Sequence, residues 1–428
     1  MMRETFKQII KEFHEFIDKS SFLSRELSIP FNSSKIIVIY GARRTGKTFY
    51  FFWSIKELIK KGIKKERIVY VNFEDDRLSD LRIHNLNDLI EAYYELYPKN
   101  LDLEVYFFFD EIQNLEKWEL FIRRINDTRK VKIFITGSSA KLLSKEISTS
   151  LRGRCLSYNL FPFSFNEFLT AKGIAPEKDY EYSSSRFKIK RLLEEYLEYG
   201  SFPEIALTSQ TEIKRKILKE YYDSLIYKDL VDRFSVKNTN LLKELIRYLL
   251  TNCTKEFSVN SYFKFIKNSI PVSRETIIEY LNYIQETSYF YLLNSFSYSL
   301  KSQSIKPKKI ISLDNGLRNL VAFNTSEDIG KKSENLVGIN LLKQSETLFY
   351  WKDKYEVDFV VADKGGNLNA INVTYGERIH EREYKSLLEF KSRFKKVKKL
   401  IIISKNIETK EEGVSVIPLW KWLLTKRY

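Results

Sequence analysis

Gly41, Ala42, Arg43, Arg44, Thr45, Gly46, Lys47 and Thr48 run consecutively and spell G-x-x-x-x-G-K-T. Two glycines at this spacing let backbone N–H groups curl around the α- and β-phosphates of a nucleotide. The lysine then reaches the β- and γ-phosphates, and the threonine hydroxyl can hold Mg²⁺. Such a loop works only between a buried strand and a helix. Here the apolar run Ile36 to Tyr40 precedes it, and a helical stretch from Phe49 to Lys61 follows it. The helix directs its positive amino terminus at the anion. The expected ligand is a nucleoside triphosphate, taken as ATP with Mg²⁺, although no base-reading motif stands out. Residues 41–49 are the expected nucleotide contacts.

Three further apolar strands are expected at 67–73, 105–109 and 131–136, separated by helices at 85–96 and 118–127. Continuous apolar strands alternating with helices specify a parallel sheet covered on both faces. Ligands then bind at the carboxyl ends of the strands. Asp110 ends the second of these strands and is the expected carboxylate supporting Mg²⁺ beside Thr48. Glu111 could orient and deprotonate an attacking water. Ser138 and Ser139 follow the third strand, either sensing the γ-phosphate or capping a helix over 140–147. Arg152 and Arg154 offer a guanidinium for transition-state charge, in cis or toward a neighbouring subunit. Surface or sheet packing is the plainer role for both.

In order, the phosphate loop, Asn72 to Asp75, Phe109 to Asn114 with Trp118, Thr136 to Ser139, Leu151 to Arg154 and Phe161 to Phe168 resemble an AAA+ superfamily group. These are archaeal and bacterial P-loop ATPases related to the STAND switch proteins, commonly followed by an uncharacterised C-terminal region. The match spans about residues 20 to 170. The resemblance implies phosphate and Mg²⁺ binding by Lys47 and Thr48, a Walker B role for Asp110 and a catalytic role for Glu111.

Tyr199 to Glu204 looks like that group's Gly-Gly-Phe-Pro-Glu hinge, with Ser201 for the second glycine. One long helix is expected over 212–233 and another over 240–250. Two short helices, 259–267 and 273–286, precede strands at 289–293 and 309–313, a winged-helix pattern with 273–286 in the recognition position. That helix presents Arg274 but also Glu275, Glu279 and Glu286, so the basic loop with Lys301, Lys306, Lys308 and Lys309 is the better DNA candidate. Residues beyond 333 resemble a restriction-endonuclease-like α/β fold. An active member needs Asp on one strand and Asp/Glu-x-Lys on the next, two carboxylates for Mg²⁺ and a lysine for water. Asp358 fits the first position, but Asn372 and Thr374 stand in the second motif. No cleavage is expected unless a lysine or acid has migrated, with Glu334 and Glu356 as candidate helpers.

Composition bounds these readings. The chain has 428 residues, 43% of them hydrophobic and 30% charged, which suits several soluble domains. No run approaches about 18 apolar residues, so no membrane partner is expected, and cytoplasmic residence follows. Two cysteines give no disulfide framework, and three scattered histidines give no zinc site. Many Lys, Glu, Ile and Tyr with few Cys, Met and His fit a hyperthermophile, hence archaeal, proteome. The net charge of +16 suits either a polyanion partner or solvated helix faces. The last 53 residues hold fourteen Lys/Arg against seven Asp/Glu.

The expected fold class is therefore α/β: a P-loop parallel-sheet ATPase domain with an N-terminal helix (1–170), a helical and winged-helix middle (171–325) and a degenerate nuclease-like domain (326–428). The expected function is a Mg²⁺-dependent ATPase switch. An ATP-gated DNA-binding or genome-defence protein is the alternative, and an ATP-dependent nuclease a weaker one. Besides ATP, nucleic acid and further copies of the chain are the partners considered.

Overall fold

A computed structural model describes residues 2–137, 151, 153–174, 183–322, 328–344 and 347–425. The chain folds as two compact units, Met1–Phe161 and Pro162–Tyr428.

The first unit is built on five parallel strands: β1 (Ile36–Tyr40), β2 (Ile68–Asn72), β3 (Val105–Asp110), β4 (Val131–Gly137) and β5 (Cys155–Asn159), in the order β2-β3-β4-β1-β5. Residues 36–39 and 105–110 are buried throughout, because helices cover both faces. On one face α3 (Leu86–Leu96) and α4 (Trp118–Thr128) pack against Val69, Phe107 and Ile135. On the other, α2 (Lys47–Lys60) sets Tyr50, Phe51 and Ile55 against Ile37, Phe108 and Phe134. The fifth strand, at 155–159, is absent from the strands read in the sequence. Its residues are mostly half-exposed, so the apolar run that betrays the other strands is missing.

The first helix, α1 (Met2–Lys19), splits its stripe between the two faces. Phe6, Ile9 and Ile10 join one core, and Phe13 and Ile17 the other. It thereby wraps the β2 edge of the sheet, which protects strand hydrogen-bonding groups that would otherwise recruit another chain. His14 completes the cover, with Nε2 2.9 Å from the Ile68 carbonyl and Nδ1 3.0 Å from the Tyr97 hydroxyl. Burial holds its pKa below the usual histidine value, so the neutral ring suits this contact. Phe16 on the same helix lies 45% exposed.

The second unit begins with α5 (Phe165–Ala171), α6 (Ser185–Tyr199), α7 (Pro203–Leu207) and α8 (Thr211–Ile226). The helix expected over 212–233 is regular only to Ile226, and a wider π-type turn carries Tyr227–Asp232. Next come α9 (Thr239–Thr251), α10 (Val259–Ile266) and α11 (Arg274–Glu286), capped by the side chains of Asn238, Ser258 and Ser273. A three-stranded antiparallel sheet, β6-β8-β7, is made of β6 (Glu256–Phe257), β7 (Phe290–Leu293) and β8 (Lys308–Ser312). The connection between β7 and β8, expected as a loop, contains the short α12 (Leu300–Ile305).

Two helices follow, α13 (Asn315–Val321) and α14 (Asp328–Gln344). The last part is a six-stranded mixed sheet, β13-β14-β12-β11-β10-β9. Its strands are β9 (Leu348–Lys352), β10 (Glu356–Ala362), β11 (Leu368–Val373), β12 (Val397–Ser404), β13 (Thr409–Glu411) and β14 (Val414–Pro418). Helix α15 (Glu381–Arg393) sets Leu387 and Phe390 against Val360, Ala370 and Ile402. The short α16 (Leu419–Leu424) closes the described chain. Among the described residues, no helix is long and apolar enough to cross a membrane.

The segment read as a hinge forms a closely fitted joint. Gly200 has φ of 79°, and a Cβ there would lie 1.9 Å from Asp314 Oδ1. Asp314 accepts hydrogen bonds from Ser201 N (2.6 Å), Ser201 Oγ (3.0 Å) and Gly316 N (2.8 Å). Its carboxyl is pushed up by complete burial, against the pull of those donors. Gly200→Ala therefore combines a positive-φ backbone with a collision between the new Cβ and the Asp314 carboxylate. We expect it to destabilise the second unit by about 2–4 kcal/mol, read as a lower denaturation midpoint for probes in residues 162–428.

Candidate functional site

The phosphate loop turns sharply between β1 and α2. Gly41, Arg44 and Gly46 have φ of 152°, 66° and 90°. A Cβ on Gly41 would meet the Leu160 carbonyl at 2.4 Å, so only glycine fits there. Arg44 takes the left-handed region despite its side chain, which curls successive N–H groups into an anion-binding concavity. Helix α2 starts with no side-chain cap, so its first N–H groups remain directed at whatever anion the loop encloses. Ala42 and Thr45 are buried, and Thr45 Oγ1 donates to the Ala42 carbonyl at 3.0 Å, bracing the turn. Phe49 stands 63% exposed on the first helical turn. Arg43 reaches Glu74, beyond the end of β2, at 3.7 Å.

Lys47 is buried. Its Nζ lies 3.3 Å from both the Gly41 and Ala42 carbonyls and 3.6 Å from Glu111 Oε1. Glu111 follows β3 with φ of 49°, a strained conformation that turns its carboxylate toward the loop. Burial alone would raise its pKa. The Lys47 charge, the Gln113 amide (2.5 Å from Oε2) and Arg43 outweigh that and hold it below the usual glutamate value. The group is thus an anion at neutral pH, as a base that handles water must be.

Asp110 ends β3 completely buried. It accepts from Tyr70 Oη at 2.8 Å and from the Thr136 hydroxyl. Thr48 is also hydrogen-bonded to it, and burial outweighs these donors to leave its carboxyl above the usual aspartate value. Thr48 and Asp110 therefore share one oxygen-rich corner, the donor chemistry a hard cation takes. The residues fit Mg²⁺ as well as phosphate.

Two positioning residues went unassigned in the sequence. Thr136 on β4 donates to Asp110 and accepts from Glu111 N at 3.0 Å, so one hydroxyl aligns both acids. Arg25 donates to the carbonyls of Thr45 (3.0 Å) and Phe161 (2.7 Å), pinning the loop from the segment before β1. Thr136 opens the Thr136 to Ser139 motif, which is the signal that points to it. Arg25 carried no signal, since its partners are backbone carbonyls.

Arg154 lies away from the phosphate loop. Ile36 N donates to its carbonyl at 2.8 Å, so it lies at the start of β1 and β5. Its guanidinium is spent on Asp127 at 3.1 Å. The length of a five-residue strand, about 16 Å, separates that edge from the loop, so Arg154 cannot serve the phosphates of its own chain. Ser138, Ser139 and Arg152 lie outside the described residues.

In the second unit Asp358 is met by a residue that spacing could not supply. Lys309 Nζ lies 3.2 Å from Asp358 Oδ1, 2.6 Å from Glu334 Oε1 and 3.0 Å from Glu356 Oε1. Lys309 was read as a basic loop residue available to DNA; it is instead fully buried among these acids. Asp358 Oδ2 accepts from Val373 N at 2.8 Å. Asn372 donates to Glu383 Oε2 (2.9 Å) and Ser386 Oγ (2.7 Å) and accepts from Asp358 N. Burial, then the neighbouring Asp358, pushes Glu334 up to about 8. Burial alone would raise Glu356, but the charges and hydrogen bonds of Lys309 and Lys352 together hold it below the usual glutamate value.

Comparison with known proteins gives three family matches along the chain. Residues 33–169 match the family described as AAA domain, and 190–328 and 329–422 match two domains of unknown function (DUF8612 and DUF4143). An uncharacterised protein of Methanocaldococcus jannaschii, MJ1544, is 37% identical over 98% of this chain and 95% of its own length. An uncharacterised protein of Haemophilus influenzae is 31% identical over 91% of this chain and 94% of its own length. Among solved structures, the Walker-type ATPase PABY2304 of Pyrococcus abyssi covers 74% of this chain and 95% of its own, at 12% identity and a TM-score of 0.45.

Replacing Thr136 by Val should leave Asp110 buried with one donor fewer, costing about 1–3 kcal/mol. Because the same change releases Glu111 N, we expect weaker Mg²⁺-dependent nucleotide binding too, read by calorimetry against wild type.

Proposed function

Starting from a chain that belongs to one family with these proteins of Methanocaldococcus jannaschii and Haemophilus influenzae and whose residues 33–169 match the AAA domain, we propose that it is a Mg²⁺-dependent ATP hydrolase working as a nucleotide-driven switch. The observation carrying this reading is the convergence of Lys47, Thr48, Asp110 and Glu111 at the carboxyl ends of β1 and β3. Thr48 and Asp110 would hold Mg²⁺, which would supply charge neutralisation for the phosphates. Lys47 Nζ lies 3.6 Å from Glu111 Oε1. A γ-phosphate competes for that ammonium, and Glu111 is then released to take a proton from water. The same exchange couples ligand state to the β3 end and gives the switch a physical origin.

Lys47→Ala should abolish ATP binding and turnover. Glu111→Gln should keep binding and slow turnover by roughly 10²–10⁴-fold. Unchanged hydrolysis in Lys47→Ala would sink the reading.

We assign a winged-helix role to residues 239–312 and a restriction-endonuclease-like, non-cutting role to residues 328–424. The three capped helices followed by an antiparallel sheet support the first. The six-stranded sheet supports the second fold. Lys309, Glu334 and Glu356 do gather at Asp358, but Asn372 stands where a second metal-binding acid belongs and the Lys309 ammonium engages all three carboxylates, which supports the non-cutting role. Nucleic-acid binding is favoured by a specific surface: Lys391, Lys395, Lys396, Lys398 and Lys399 are all exposed. The β7–β8 connection adds exposed Lys301 and Lys306 beside Tyr298, which is 71% exposed. Helix α11 is the poorer candidate, since Glu275 and Glu279 are exposed on it. Duplex DNA affinity should fall steeply with salt. Lys→Gln at 395, 396, 398 or 399 should lower the log–log slope by about 0.9 for each phosphate left without its lysine. A flat salt response would remove nucleic acid from the reading. Mg²⁺- or Mn²⁺-dependent cleavage abolished by Asp358→Ala would overturn the non-cutting assignment.

A further inference from the structure

Three carboxylates around one buried lysine are more than an ion pair needs. Glu334 comes from α14, and Glu356 and Asp358 come from alternate positions of β10, so the latter two face the same side of the sheet. All three aim an oxygen at one point, where the Lys309 ammonium lies at 2.6, 3.0 and 3.2 Å. The Phe359 and Tyr350 rings stand 5.3 and 5.9 Å from the same nitrogen. Outside this shell, Lys352 lies 3.5 Å from Glu356, and Glu383 approaches Asp358 through Asn372.

Convergent carboxylates from a helix and a strand form the donor set of a hard divalent cation. The side chains of Glu334, Glu356 and Asp358 keep 16%, 33% and 17% exposure, whereas that of Lys309 has none. The acids therefore border solvent, and the ammonium sits behind them. Among the described residues, no group of His, Cys, Asp or Glu is placed to hold a metal ion as the chain stands.

We propose that the Lys309 ammonium is a resident cation occupying the place of a divalent metal among Glu334, Glu356 and Asp358. The site is a closed Mg²⁺/Mn²⁺ site that opens to the ion only when the ammonium is withdrawn. Lys309 belongs to β8 of the three-stranded sheet, and Asp358 and Glu356 to β10 of the six-stranded sheet. The occupied site thus ties the two sheets together by charge rather than by apolar packing alone. The proposal accords with the non-cutting assignment but rests only on this geometry.

The test is thermal unfolding of the full chain without nucleotide at about pH 8, in EDTA or millimolar Mn²⁺. In EDTA, Lys309→Ala removes the ammonium shared by the three acids and should lower the second unit's Tm by roughly 10 °C. Mn²⁺ should restore at least half of that stability. It should restore none in Lys309→Ala/Asp358→Asn and should leave the wild-type second unit unchanged. Absence of rescue in Lys309→Ala overturns the proposal. If that variant does not fold in EDTA, refolding in Mn²⁺ supplies the same reading: recovery supports the proposal, and equal failure overturns it. Mn²⁺ binding by wild type, followed by its paramagnetic resonance signal, gives an independent check. A wild-type site that disappears in Asp358→Asn would show that the ammonium does not hold the cation position. Nuclease assays are separate, so failure of the non-cutting reading would not be confused with failure here.

Discussion

An ammonium taken out of water must be met by acceptors, and that requirement organises both chemical centres of this chain. An unpaired buried charge is costly enough that the surrounding fold must supply compensation. Lys47 is met by two loop carbonyls and Glu111. Lys309 is met by Glu334, Glu356 and Asp358. Lys47 is paired to partners that a phosphate can replace, so its pairing is exchangeable. Lys309 is held by acids from two elements with no exposure of its own, so its pairing is part of the architecture.

The exchangeable pairing depends on rigid surroundings. Glu111 takes a left-handed backbone at the end of β3, and Thr136 on β4 fixes its N–H and the Asp110 carboxylate with a single hydroxyl. Gly41 can approach the Leu160 carbonyl only because it has no Cβ. Strained conformations of this kind persist where the neighbouring structure over-determines them. Here the parallel sheet does so, because the residues that meet are carried on strands in register.

The same economy explains the joint between Gly200 and Asp314. A buried carboxylate accepts from Ser201 and Gly316, and the absence of a side chain at 200 makes room for it. The segment that looks like the Gly-Gly-Phe-Pro-Glu hinge is held by these specific hydrogen bonds. Glycine permits a bend, but whether the bend moves depends on what fills the space beside it.

Local order determined what the sequence could tell by itself. Four strands, the helices between them and the phosphate loop followed from apolar runs, alternation and glycine spacing, since each of these acts over a few residues. Lys47, Thr48, Asp110 and Glu111 were legible for the same reason. The fifth strand was not, because its side chains are too exposed to form an apolar run. Only the tertiary structure removed Arg154 from its own chain's phosphates, by placing it at the opposite end of the strands. Only the tertiary structure brought Lys309 to Asp358, 49 residues away in the chain. Charge pairing across such separations leaves no periodicity to read. It is decided when separate sheets pack and a buried charge finds its partners.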